Sequence, residues 1–445
     1  MVFVMAVPMT VSAATVREAS DAATLTQAIS DAQDGDTIKL TASITASITI
    51  LADKNITLDL NGKTLTNEAG NHTITNEGTL TIKGDGTVDN VSHKKGALVN
   101  KGTATINGGT FTRSQEASKS PTDDGGNSWY VIRNQGTLTV NDGTVTNNSK
   151  FSSLVRNDGT MNINGGTFTN IFNTIKNDAT GTMIISAGTI TSGDQAVQNW
   201  HNLDVTGGTF NGDVDTWSYD GDGEKCAGTT SINGNAVIDG DVAAIRYGDA
   251  TTSIPRVEIN GGTVNGTVQK GEYGAAYVVV DPSAPSSVIT VSGGTFAKKP
   301  ESAFIAQGRI AIEYVQGGND GKYYVGTNRE IQAIVDSAEA GDTIDVIHGK
   351  ADLTLTKPGV TIGNNGAEVV VNGQPLTDGH TTVIKEVDPT KPSQDQTQKP
   401  SDTAKADKSA KTGDDFNLFA VGGVALAAII AMAAVAITGR RHRQR

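Results

Sequence analysis

Apolar and polar residues alternate along most of the chain in short runs that predict strands. In "GTLTIKGDGTVDN", Leu80 and Ile82 alternate with Thr79 and Thr81, so one face is apolar and the other polar. Val88 follows a glycine-rich turn, where glycine accepts positive φ without steric cost. The same slots hold Ala104, Ile106 and Phe111, then Leu138, Val140 and Val145, then Met161, Ile163 and Phe168. The turn itself recurs as "LNGKTL", "IKGDGTV", "INGGTF", "VNDGTV", "INGGTF", "ISAGTI", "VTGGTF", "INGNAV", "INGGTV" and "VSGGTF". Its threonines are Thr64, Thr87, Thr110, Thr144, Thr167, Thr189, Thr209, Thr263 and Thr295, with Ala236 in the slot once. A period of about 22 residues signals stacked supersecondary units, each too small to bury its apolar face alone. The pattern therefore predicts an all-β chain wound as a parallel β-helix, its repeat coils spanning 56–300.

A second register supports the stacking. Asn76 in "TITNEG", Asn100 in "LVNKG", Asn134 in "VIRNQG", Asn157 in "LVRNDG", Asn177 in "TIKNDA" and Asn199 in "AVQNWH" stand upstream of successive coils. They are read as one bend repeated in every coil. Asparagine tolerates the left-handed conformation, and its amide can bond its equals above and below. One further phrase occurs twice. "TLTQAISDAQDGDTIKL" and "EIQAIVDSAEAGDTIDV" both predict a helix with Leu25/Ile331 and Ile29/Val335 on one face, ended by Gly35/Gly341 and followed by a strand. The second copy opens an entry-like unit over 329–375, too short to stand as a stack of its own. It is expected to pack on or beside the last coils and close that end.

Composition agrees with a turn-rich β protein: 52 glycines, and aromatic residues at only 5%. The net charge of −13 argues against nucleic acid as a partner, because phosphate recognition needs a basic footprint. The lone Cys226 excludes an intramolecular disulfide and a cysteine-based metal site. Both ends carry address-like segments. "MVFVMAVPMTVSAATV" has an apolar core followed by Ser12 and Ala14 at signal-peptidase spacing, which makes 1–14 a signal peptide cleaved after Ala14. Residues 15–387 are then the β-helix domain. Residues 388–411 are rich in Pro, Ser, Thr, Lys and Asp and read as a disordered, wall-spanning linker. Residues 416–439 are apolar and uncharged, long enough for a transmembrane helix of about 20 residues, and the basic tail 440–445 should stay cytoplasmic.

Three resemblances follow from these residues. The coils, over Leu25 to Gly373, resemble the right-handed parallel β-helix superfamily in the broad, pectin-lyase-like sense. The "GGTF" coils are also similar to repeats of secreted surface proteins in gut Gram-positive bacteria. The resemblance implies that a short N-terminal helix caps the open first coil. The tail resembles the cell-wall sorting signal of Gram-positive surface proteins, Leu-Pro-any-Thr-Gly followed by a hydrophobic helix and a basic tail. Lys411, Thr412 and Gly413 match the last three motif positions and 412–415 form the sortase-like motif, while Ser409 and Ala410 replace the Leu and Pro. This implies sortase and peptidoglycan as partners, processing between Thr412 and Gly413, and a cell-wall or membrane-anchored extracellular location.

Candidate chemistry is sparse. Polygalacturonase-like members of the superfamily use a Gly-His-Gly segment, and none of the 6 histidines here lies between glycines. Pectate-lyase-like members use an arginine beside Ca²⁺-binding aspartates. Arg133, Arg156 and Arg246 are read at equivalent coil positions with Asp158 and Asp178 nearby, as stacked polar residues of an outer face. Threonine pairs such as Thr79/Thr81 and Thr103/Thr105 are read as ordinary exposed strand residues. The most site-like stretch, "NGDVDTWSYDGDGEKC", reads as a long acidic loop. Trp217, Tyr219, Asp220 and Asp222, with Trp200 and Trp129 from nearby coils, could line an aromatic groove for glycans. No cofactor or metal is predicted. The reading is an anchored surface protein without enzymatic activity, an adhesin for host or neighbouring-cell glycans or proteins. Its alternatives are a surface polysaccharide lyase or glycosidase, and a structural wall spacer.

Overall fold

Successive coils lie in parallel register on three faces. In the computed structural model, which describes residues 13–92, 94–114, 129–147, 152–221, 224–247, 253–273, 278–280, 288–377, 379 and 381–383, 34 strands join one continuous hydrogen-bonded sheet. The first face runs from Val16–Ala19 through Thr37–Leu40, Asn55–Asp59 and Thr79–Lys83 up to Val288–Phe296. The second face begins at Ile44–Thr45 and carries the recurrent threonine, so that Thr87, Thr110, Thr144, Thr167, Thr189 and Thr209 stand in one column. The third runs from Ile48–Ile50 to Val268–Tyr273. Parallel pairing between neighbouring coils is the signature of a β-helix.

The alternation read from the sequence becomes columns of buried side chains. Leu80, Ala104, Leu138, Met161, Met183 and Leu203 stack inside the first face. Inside the second face the column is Val88, Phe111, Val145, Phe168, Ile190, Phe210 and Ile238, with large rings separated by smaller side chains so that each fills the gap between its neighbours. Burying each such ring contributes roughly 1.5–3 kcal/mol. The glycine before each threonine takes positive φ, as the turn reading requires: +86° at Gly109, +87° at Gly166, +93° at Gly208.

The predicted asparagine ladder is present. Asn76, Asn100, Asn134, Asn157, Asn177 and Asn199 are all fully buried, each Nδ2 donating to the next Oδ1 at 2.7–2.8 Å. Their backbone differs from the expectation. The only described non-glycine residues with positive φ are Asn61, Lys94 and Asn372, so the ladder asparagines end strands and serve through their amides alone. An exposed second ladder runs along the glycine-rich turns, from Asn141 to Asn107 and from Asn164 to Asn141.

The repeated phrase builds two similar entries with different settings. Helix α1 (Ala22–Asp31) is capped by Asp21 and Thr24, and α2 (Asn328–Ser337) by Thr327 and Glu330. Both helices end with an alanine C-cap, Ala32 and Ala338, while Gly35 and Gly341 form the following turn with φ of +83° and +99°. The glycines thus shape the exit rather than end the helix. Leu25, Ala28 and Ile29 join the core of the coils, so α1 plugs the first coil. Ile331 and Val335 of α2 instead pack in a separate core with Ile310, Ile312, Ile344, Val346 and Ile362. The second copy thus stands beside the last coils, with α2 in a core of its own while Ile347 of the same unit joins the coil core. The far end is covered by Phe304, Ile305, Ala311, Val325 and Ile347, which join the coil core, and strand Lys322–Gly326 pairs antiparallel with Gly294–Phe296. The entry-like unit is therefore joined to the last coil through a sheet but carries apolar packing of its own. Residues 1–12 and 384–445 lie outside the described residues, and the expectations for the signal peptide, the linker, Thr412, Gly413 and the apolar span fall there. Among the described residues no helix is long and apolar enough to cross a membrane.

Candidate functional site

The third face changes character at Thr209–Gly221. This strand of 13 residues begins as a normal rung and then runs past the corner of the coil. Its second half pairs in parallel with Val242–Tyr247, which pairs with Val268–Tyr273, and turns into an antiparallel hairpin with Glu224–Ala227. The acidic loop expected from "NGDVDTWSYDGDGEKC" is therefore a strand and hairpin. The glycines and aspartates resemble a loop in sequence, but the register Val214↔Val242 through Tyr219↔Tyr247 holds them in a sheet.

Alternation along this extension directs Asp215, Trp217 and Tyr219 to one side. Trp200, at the end of the preceding rung, stacks on Trp217 with ring centroids 5.3 Å apart and planes 24° from parallel. Tyr247 meets Trp200 edge-on at 6.3 Å and Tyr219 at 5.5 Å. Trp217 is only 4% exposed and packs with Ala243 and Ile245, whereas Tyr247 is 36% exposed. Trp217 therefore supports the patch from beneath, and Trp200, Tyr219 and Tyr247 present it. Tyr247 escaped the sequence reading; its signal was the register that sets "AAIRY" beside "DTWSY".

A row of charges leads away from the patch along the same face. Arg133, Arg156 and Lys176 occupy one column. Arg133 and Arg156 both hold Asp158, and Arg156 and Lys176 both hold Asp178, at 2.8–3.2 Å. Lys176 Nζ lies 5.9 Å from the Trp200 ring and Arg156 lies 5.7 Å from the Tyr130 ring. Burial raises the pKa of Asp178, but Lys176, an amide from Ala179 and Arg156 outweigh it and hold the carboxyl below its ordinary value. Arg246 does not belong to this column. It stands in register with Ser218 and Glu272 and pairs with Glu272.

The other candidates separate. Trp129 lies at the far end of the charged row, 5.6 Å from Tyr130 and 5.9 Å from His72, and does not join the Trp200 cluster. Burial pushes His72 down to about 4, so its ring is neutral at physiological pH. Asp220 pairs with Lys225 at 3.2 Å, and Asp222 lies outside the described residues. Asp215 is buried, accepts from Gln195 at 2.6 Å, and is pushed well above the ordinary carboxylate value by burial and by Asp213. Asp213 accepts from the Asp241 amide, and Asp241 from the Thr267 amide, so these carboxylates tie one coil to the next. Among the described residues no group of three or more His, Cys, Asp or Glu could hold a metal ion. The chain matches no protein family, no curated protein and no solved structure.

Proposed function

We propose that this chain is an exported, wall-anchored surface protein of a Gram-positive bacterium whose right-handed β-helix binds glycans through the patch of Trp200, Tyr219 and Tyr247. The observation that carries the reading is the stack of Trp200 on Trp217 with Tyr247 standing exposed beside it. Aromatic faces held rigid on strands lose little entropy on binding, and a sugar ring offers the C–H face that stacks on them. Lys176 and Asp178 at the edge supply a donor and an acceptor for hydroxyl groups. Sortase and peptidoglycan enter as partners through Thr412 and Gly413 alone.

A glycan array probed with residues 15–387 tests this. Binding should fall about tenfold in Tyr247→Ala and in Trp200→Ala, the value of one aromatic contact. No glycan retained, or hits unaffected by both changes, would reject the patch. The rival enzyme reading has one foothold. Asp215 is a buried carboxyl beside Asp213 whose pKa is raised well above the ordinary carboxylate value, a pairing of the kind acid catalysis uses. Its burial and its bond to Gln195 leave it no open approach for a substrate. Release of sugar ends that disappears in Asp215→Asn would establish the enzyme instead.

A further inference from the structure

Thr15 immediately precedes the first strand, Val16–Ala19, and its backbone N–H donates to Asp36 Oδ1 at 2.7 Å. Asp36 is 1% exposed, and its other oxygen accepts from Arg17 Nε at 2.8 Å and from the Gln33 amide at 3.0 Å. Amides from Gln33 and Thr15, then Arg17, hold the carboxyl well below the usual range, so it is ionised. The second copy of the phrase repeats the clamp. Asp342 accepts from the Gly317 amide at 3.0 Å, the Glu339 amide at 2.8 Å and the Tyr314 hydroxyl at 2.6 Å. Besides Arg17 standing where the second copy has the Tyr314 hydroxyl, the two copies differ in the residue whose amide is held. Gly317 is an internal residue, whereas Thr15 follows Ala14, the residue that the "SAA" pattern marks for cleavage. Ala13, Ala14 and Thr15 are exposed.

We propose that Asp36 is the receptor for a new N-terminus: hydrolysis of the Ala14–Thr15 bond frees an α-ammonium that forms an ion pair with Asp36 and locks the first rung. This rests on the export reading above. In the step, water adds across the peptide bond, Ala14 leaves as a carboxylate, and the Thr15 amine takes a proton from solvent. An amide offers Asp36 one neutral N–H. The ammonium at the same atom offers a full positive charge, and charge-assisted hydrogen bonds are about twice as strong as neutral ones. The Thr15 carbonyl already accepts from the Thr37 amide at 2.8 Å, so the released end stays in register.

The test compares the chain from Thr15 to Arg445, in detergent, with a free and with an acetylated α-amino group. Hydrogen exchange in peptides covering Val16–Ala19 and Thr37–Leu40 should be about tenfold slower with the free amine, because opening of the end rung must break the ion pair. Asp36→Asn should erase that difference, and Asp342→Asn should leave it. The acetylation comparison needs no variant, so it stands even if Asp36→Asn misfolds. Equal exchange in the two forms overturns the capture while leaving the leader reading intact. An exported protein whose sequenced N-terminus is not Thr15 overturns the processing step, and the proposal with it, whatever the exchange shows.

Discussion

Asn157 has no exposed surface, and both ends of its amide are engaged. Oδ1 accepts from Asn134 Nδ2 and the Gly159 amide, while Nδ2 donates to the Gly159 carbonyl, Asn177 Oδ1 and the Thr182 carbonyl. Asn157→Leu would strand several of these groups in the core and should cost about 3 kcal/mol, since each buried unsatisfied group costs roughly 1–3 kcal/mol. Asn76 ends the ladder above Ile50, and its Oδ1 has no partner among the described residues, so Asn76→Leu should cost clearly less. Urea unfolding of both variants checks the order, and equal losses would mean that the amides do not act as a chain. The ladder was legible because every coil repeats the demand for the same amide. The burial of Trp217 was not, because an outward strand position looks exposed until the neighbouring strands are known to extend past the corner. Asp215 gives a pH test at the same scale. Its raised pKa means that folding takes up a proton. The stability it contributes is therefore complete below the unfolded value of about 3.9 and is lost as pH rises toward the folded value, by up to about 1.4 kcal/mol per pH unit. Asp215→Asn cannot ionise, yet its carbonyl can still accept from Gln195. As pH rises above about 4 its urea midpoint should fall less than that of the native chain, and parallel curves would show that Asp215 titrates normally.

A coil is set as much by what cannot fit as by what packs. Gly78, Gly102, Gly136 and Gly159 follow the ladder asparagines by two residues, in "NEG", "NKG", "NQG" and "NDG". None of them has positive φ. Their requirement is space: a Cβ on Gly136 would lie 2.1 Å from the Gly102 carbonyl oxygen, and one on Gly159 would lie 2.2 Å from that of Gly136. Gly136→Ala must push two coils apart and should cost about 2–4 kcal/mol. Gly366→Ala, at φ +85° with nothing within 4 Å, should cost only the left-handed penalty of about 1 kcal/mol. Thermal midpoints of the two variants separate the mechanisms, and equal losses would remove the stacking argument. Sequence pattern revealed the strands, the turns and both helices, because each depends on local spacing. The hairpin Thr209–Gly221 with Glu224–Ala227 escaped it, since "DGDG" satisfies a loop and a hairpin turn equally until the register with Val242–Tyr247 is known. The separate packing of α2 escaped for a related reason. Ile331 and Val335 match Leu25 and Ile29 in spacing, but which core receives them depends on Ile310–Val315, a strand with no counterpart at the first copy.

For the whole molecule the question is how a stack of coils reaches its place of work. Its first coil is closed by α1, and its last is covered by Phe304, Ile305, Ala311, Val325 and Ile347, so the chain itself closes both ends of the coil core. On the proposed reading the remaining parts then serve display. The linker 388–411 is rich in Pro, Ser, Thr, Lys and Asp, the composition of a spacer between the coils and an anchor. Phe416–Gly439 would halt the chain in the bilayer, and the four arginines of 440–445 would resist translocation. A sortase needs a threonine carbonyl to attack and a glycine to release, held just outside that span. Thr412 and Gly413 stand there, with Asp414 and Asp415 as a polar collar. Ser409 and Ala410 occupy the places of the motif's Leu and Pro, so on this reading recognition rests on Thr412 and Gly413. Mature protein in wall digests should end at Thr412, joined to a peptidoglycan fragment, and Thr412→Ala should shift it from the wall to the membrane fraction. Mass spectrometry of the C-terminal peptide decides the matter: a peptide that runs through Gly413 into the apolar span would identify a membrane-anchored protein and retire sortase as a partner.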